Sequence, residues 1–214
     1  MTTAHAASSS DGLLTAASDL RSLGSRLEQR TDLDRIVEPV RERLSRLLPD
    51  GPRKDALQGS WLGHPVHPAL TDLPIGFWTS ALVLDVIGGR RGRTAADLMI
   101  ALGVLTAIPT AATGAADWAD MERPRQRTGI VHAGANALAT ALYAMSFVRR
   151  RRGRRFRGFV LSTAGMGMAT LGGYLGGHLA FGESGSSSEG RSDHAEVWSL
   201  ARAPWDHPSR TGRA

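Results

Sequence analysis

Between residues 69 and 181 most of the chain is built from long runs of Ala, Leu, Val, Ile, Gly and Met, and nothing else in it restricts the fold so strongly. A transmembrane helix needs about 20 mainly apolar residues. Four stretches meet that requirement. The first runs from about Pro68 to Gly88 and carries Phe77, Trp78, Leu82, Val83, Leu84 and Ile87. The second runs from about Ala95 to Trp118 with Pro109, an expected kink, in its middle. The third is Ile130 to Val148, apolar apart from His132 and Asn136. The fourth, about Phe156 to Phe181, is rich in glycine. Any one of them could be a buried helix of a soluble bundle, and the second, with Asp97 and several threonines, is the least secure as a span. Four in series, joined by short polar turns and with too little amphipathic material to cover them, predict an all-α integral membrane four-helix bundle.

The flanks are a different material. Residues 1–60 hold nine basic and nine acidic side chains, and residues 182–214 are polar and rich in Gly and Ser. Three regions follow: an N-terminal amphipathic and partly disordered region over 1–56, a four-span domain over 57–182 and a disordered tail over 183–214. Within the first, Leu33, Ile36, Val37, Val40, Leu44, Leu47 and Leu48 recur at threes and fours among charged residues. Pro39 is expected to interrupt this pattern and Asp50-Gly51-Pro52 to end it. The product, one broken amphipathic helix or two short ones, suits the membrane surface, a second subunit, or the protein's own loops. No secretory signal begins the chain, so the internal segments are expected to direct insertion.

The chain has no cysteine, which excludes disulfides, thiolate metal sites and cysteine-ligated iron–sulfur clusters. Its basic excess is nearly all arginine and is concentrated beside apolar segments, which argues against nucleic acid as a partner. The turn between the first two spans holds Arg90, Arg91 and Arg93, and the turn between the last two holds seven arginines from Arg149 to Arg157. By the positive-inside rule, loops 89–94 and 149–157 are cytoplasmic and both termini lie outside. A cell-membrane, multi-pass protein with the lipid bilayer as its first partner is the expectation. Asp85 is expected to pair with Arg90 or Arg91.

This up-and-down order gathers the histidines. His64 and His67 precede span one, His132 opens span three and His178 lies near the end of span four, so all four fall at the membrane face opposite the arginine turns. Asp72 and Asp117 fall there too. A residue before proline is pushed out of the helical region, so His64 and His67 are expected to be extended or in a turn, with Pro68 at the first helical position. His132 and Asn136 share one helix face, as do Tyr174 and His178. Gly172 with Gly176, and Gly173 with Gly177, form small-xxx-small pairs that admit a close neighbour or a flat ligand.

Two ligand chemistries suit such a face. Imidazoles from facing helices can ligate the iron of haem b while a glycine surface leaves room for the porphyrin. Alternatively, His64, His67, His132 and His178 hold a single transition metal, with Asp72 or Asp117 as ligand or orienter. The third reading is purely structural: the histidines cap helices and hydrogen-bond in the wet headgroup region, in a scaffolding protein without a cofactor. His5, His194 and His207 lie in the tails and receive no role. No phosphate loop, nucleophile elbow or carboxylate pair is present, so no catalytic residue is nominated.

Leu57-Gln58-Gly59-Ser60-Trp61-Leu62-Gly63-His64-Pro65-Val66-His67-Pro68-Ala69-Leu70-Thr71-Asp72-Leu73-Pro74-Ile75-Gly76 resembles the opening signature of the bacterial membrane-protein family called domain of unknown function 2231. Thr113-Gly114-Ala115-Ala116-Asp117-Trp118, His132 with Asn136, and Gly172-Gly173-Tyr174-Leu175-Gly176-Gly177-His178-Leu179 extend the resemblance over about 57–182. It implies a four-span bundle and, by similarity of layout to small b-type cytochromes, suggests haem. Such relatives are often associated with Rieske-type ferredoxin domains, and Asp193-His194-Ala195-Glu196-Val197-Trp198 looks like the start of a linker to one. Without cysteine, an iron–sulfur centre is expected on a separate redox partner protein. The sequence leaves the oligomeric state open.

Overall fold

The computed structural model describes residues 22–181, and all regular structure in them is helical. The expected disorder at the N-terminus and in the 183–214 tail, and the linker at 193–198, lie outside the described residues. Residues 22–28 form α1, a 3-10 turn covers Thr31–Leu33, and α2 runs Asp34–Leu47. α2 continues through Pro39, against the expected break. The lost amide donor costs a single hydrogen bond, and the helix is held from outside by packing on α5 and α6 with Val37 fully buried. Its other apolar residues are not all covered: Ile36 and Leu47 are exposed.

A short helix α3, Pro52–Gln58, starts with proline at its first position and stops at Gly59, whose φ of +83° is costly for any residue with a Cβ. A second 3-10 turn, Ser60–Leu62, leads to the long helices: α4 Val66–Ile87, α5 Arg93–Ala119, α6 Arg123–Arg151 and α7 Arg155–Phe181. Their connections are only a few residues long, so successive helices run antiparallel. α4, α5 and α6 are long and apolar enough to cross a membrane. α7 matches α5 in length but is not among them, because Gly, Ser, Thr and Tyr174 dilute its apolar residues. Val83, Val86, Leu105, Ile108, Leu138 and Met145 remain exposed on these helices.

α4 begins earlier than the proline rule predicts. Val66 is its first residue, Pro65 its extended cap (ψ 129°) and Pro68 sits in the first turn. The opening amides of a helix have no intrahelical acceptor, so Pro68 costs no hydrogen bond there. His64 stays outside the helix, as expected; His67 does not, and is carried on the rigid first turn.

The long helices interlock by seating large side chains where a neighbour has glycine. From α4, His67 lies over Gly114 and Trp78 over Gly103 of α5. From α6, His132, Asn136, Tyr143 and Arg150 lie over Gly176, Gly172, Gly165 and Gly158 of α7. In each α6–α7 pair the two residue numbers add to the same total, as an antiparallel register demands. Of the two small-xxx-small pairs, 172/176 therefore faces α6, whereas a Cβ on Gly173 or Gly177 would meet nothing within 4 Å. At the centre Trp78 and Tyr143 stack with ring centroids 4.2 Å apart and planes 8° from parallel, among Ala81, Ile100, Ala139 and Ala169.

The arginine-bearing end is closed by a charge network. Both terminal nitrogens of Arg150 bond Asp85, at 2.6 and 2.5 Å, although the Arg150 side chain is only 1% exposed. Arg150 also reaches the hydroxyls of Ser146 and Ser162, and Arg155 holds Asp97 at 3.0 and 3.1 Å. The expected pairing of Asp85 with Arg90 or Arg91 is thus replaced. Those two arginines lie in or beside the exposed turn after α4, whereas Arg150 approaches from α6 within the helix packing.

Candidate site at the histidine end

At the opposite end, two of the four expected imidazoles meet. The rings of His67 and His132 lie edge to face, with centroids 6.3 Å apart and planes at 84°. Each ring is placed by the same two devices. The first is a glycine notch: a Cβ on Gly114 would lie 2.6 Å from Cε1 of His67, and one on Gly176 would lie 2.9 Å from Cε1 of His132. The second is a backbone carbonyl facing Nδ1. His67 Nδ1 stands 2.9 Å from Thr110 O on α5, and His132 Nδ1 stands 2.8 Å from Gly172 O on α7.

Those contacts decide the tautomers. A carbonyl oxygen only accepts, so Nδ1 carries a hydrogen in both rings, and in the neutral form of each the lone pair is on Nε2. Nε2 of His67 has no hydrogen-bond partner among the described residues. Nε2 of His132 is 3.1 Å from Nδ2 of Asn136, which also donates to His132 O at 3.1 Å. The Thr113 hydroxyl stands 3.4 Å from Nδ1 of His67 and donates to Thr110 O at 2.9 Å. The two rings are half-buried, and their orientation is set by groups on α5, α6 and α7.

The other nominated residues are placed differently. His64 is exposed and, with Gln58, Gly59 and Asp117, lines an open cavity of about 380 Å³. Asp117 is half-buried and close enough to His67 to interact electrostatically with it. Asp72 is exposed on α4. His178 turns toward the N-terminal segment: its Nε2 is 3.1 Å from Oε1 of Glu28, and its ring lies over Gly24. Among the described residues no three His, Asp or Glu side chains are grouped to hold a metal ion. The glycine surfaces at Gly114 and Gly176 are occupied by the His67 and His132 rings themselves.

The N-terminal helices are clasped over this end. Arg127 of α6 grips Asp34 at 2.8 and 2.7 Å and donates to Glu28 O at 2.7 Å. Arg123 pairs with Glu38 at 2.5 Å. Lys54 of α3, 7% exposed, bridges Asp50 at 2.7 Å and Asp120 at 2.5 Å, and Gln58 donates to Asp120 at 2.6 Å. Burial raises the pKa of Asp120, but the Lys54 and Gln58 hydrogen bonds outweigh it and hold the carboxyl below the usual range. The hydrogen bonds to Asp120 and Asp50 hold the Lys54 ammonium above its ordinary value.

Sequence reasoning missed Glu28, Thr110 and the two carbonyls. A carbonyl acceptor has no residue-type signature, and Glu28 is 150 positions from its partner. Thr113 and Gly114 were legible only as part of a family-like string.

The model of a family described as Predicted membrane protein (DUF2231) matches residues 63–187, more than half of the chain. No curated protein and no solved structure matches it. The matched segment starts at the turn carrying His64 and includes both paired imidazoles and all the glycine notches of α7. The chain belongs to the DUF2231 family of predicted membrane proteins.

Proposed function

We propose that this protein is a redox-associated module of the cell membrane, with α4 to α7 as a four-span bundle, and that His67 and His132 together bind one transition-metal ion. The observation carrying this reading is that both Nδ1 atoms face backbone carbonyls, which leaves Nε2 as the metal-binding nitrogen of each ring. His67 is the primary ligand, its Nε2 being free of hydrogen bonds; His132 contributes after Asn136 releases Nε2. Asp117 balances charge beside His67. An ion held there supplies one-electron or Lewis-acid chemistry, and the chain's own residues orient it and shield it from one side. Its partner in electron transfer would be an iron–sulfur or other redox protein. The turns 89–94 and 149–157 face the cytoplasm, with both termini outside.

A structural reading is favoured by the same hydrogen bonds, because they already staple α4 to α5 and α6 to α7. Detergent-purified protein, with Fe, Cu and Zn quantified and the visible spectrum recorded, separates the two. About one ion per chain in the wild type, lost in H67A and H132A but kept in H64A and H178A, is expected. No metal in the wild type and no Soret band would establish the structural reading. A Soret band removed by H67A would replace the bare ion with haem.

A further inference from the structure

Between the first turns of α5 and α7 and the end of α4 there is a cavity of about 320 Å³. Arg90, Arg93, Arg150 and Arg155 face a single lining carboxylate, Asp85, and Phe156 and Phe159 complete the wall. Two of these cations are already spent: Arg150 on Asp85 and Arg155 on Asp97. With those charges cancelled, Arg90 and Arg93 remain, exposed at the cavity mouth, and no carboxylate pairs with either among the described residues. Two guanidiniums converging on one opening recognise a phosphate or another compact oxyanion. The backbone agrees, since neither α5 nor α7 has an acidic residue in its first turn to offset its positive end.

The surroundings distinguish a lipid from a soluble anion. The cavity opens where α4, an apolar helix long enough to span a bilayer, ends with Val86 and Ile87 exposed, and Phe156 on its wall is 78% exposed. A phosphate seated between Arg90 and Arg93 would therefore have apolar surface beside it for acyl chains. The geometry points to a binding site for the phosphodiester headgroup of an anionic glycerophospholipid, held by Arg90 and Arg93 and roofed by Phe156. This site uses the membrane placement of the chain and does not depend on metal binding at the histidine end.

The test uses full-length protein in a non-ionic detergent, titrated with dihexanoyl phosphatidylglycerol, dihexanoyl phosphatidylcholine and inorganic phosphate. Phosphatidylglycerol should bind at least about tenfold more tightly than the other two. The R90A/R93A double variant should lose at least about tenfold in that affinity, while R151A/R152A, which removes two exposed arginines outside the cavity, should not. Circular dichroism and melting temperature verify that each variant is folded; should R90A/R93A unfold, R90Q and R93Q singly carry the same comparison. Equal binding of phosphatidylcholine, equal loss in R151A/R152A, or inorganic phosphate binding as tightly as the lipid would each overturn the assignment, the last by pointing to a soluble anion.

Discussion

Arg150 of α6 and Asp85 of α4 form a two-pronged ion pair inside the helix packing, 65 residues apart in sequence and nearly sealed from solvent. A charge buried in this way is tolerable only while its partner is present. Removing one partner of such a pair costs about 3–5 kcal/mol, because the other is left desolvated and alone. R150A should therefore lower the melting temperature of the detergent-solubilised protein sharply. Replacing both residues by apolar ones of similar volume, as in R150M/D85L, should recover much of the loss. If R150A melts like the wild type, the guanidinium is not buried as described.

The glycine notches can be tested one at a time. Gly176→Ala puts a methyl 2.9 Å from the His132 ring, while Gly173→Ala, one turn position away on the same helix, meets nothing within 4 Å. The first should cost about 1–3 kcal/mol by overpacking. The second should be neutral or stabilising by up to about 1 kcal/mol, since alanine is the better helix former. Thermal unfolding of the two variants side by side decides the matter, and equal effects would refute the seating of His132 against α7.

Lys54 and Asp120 predict a stability plateau with two edges. The Asp120 carboxyl is held below its usual range in the folded protein, so its contribution is complete above the unfolded carboxylate pKa and disappears as pH falls through the lower folded value. The Lys54 ammonium is held above its usual value, so its contribution is complete below the unfolded lysine pKa and disappears as pH rises through the folded one. The melting temperature of D120N should accordingly lie below wild type at neutral pH and converge with it below pH about 4. A gap that stays constant into acid would rule out the ion pair as its source.

His178 offers the sharpest separation between the expected grouping of histidines and the observed one. Its ring contacts Glu28 and Gly24, and its partner is a partly exposed carboxylate, so H178A should cost no more than about 1 kcal/mol globally. What it should change is local: limited proteolysis upstream of Asp34 ought to accelerate, with cleavage elsewhere unaltered. Unchanged proteolysis would mean that Arg127, which donates to Glu28 O, and the Thr128 hydroxyl, which donates to Gly24 O, hold the segment without His178.

Helical class, the apolar segments and the relative ends of the long helices were legible because they depend on hydropathy, which every residue in a segment contributes to. The placement of His67 and His132 at one end followed from helix order, and their meeting bears that out. What could not be read was where each ring points. His178 and His64 share that end of the helices with the pair, yet one contacts α1 and the other lies in an open turn, because orientation is set by which notch or carbonyl lies opposite. The start of α4 was misplaced for a similar reason. The rule that proline disfavours helix before it was applied at Pro68, where the helix had already begun. Asp85 was assigned the nearest arginines in sequence, and a residue from another helix took their place.

The evenly matched seats between α6 and α7 have a mechanical meaning. Four side chains on one helix fit four gaps on the next in a single alignment, like teeth in a rack, and a slip of one turn would unseat all of them together. The two helices are thereby indexed against each other, so the arginine end and the imidazole end stay a constant length apart. A signal crossing between those ends would travel as a change of charge or of tilt, since this packing opposes sliding of α7 along α6.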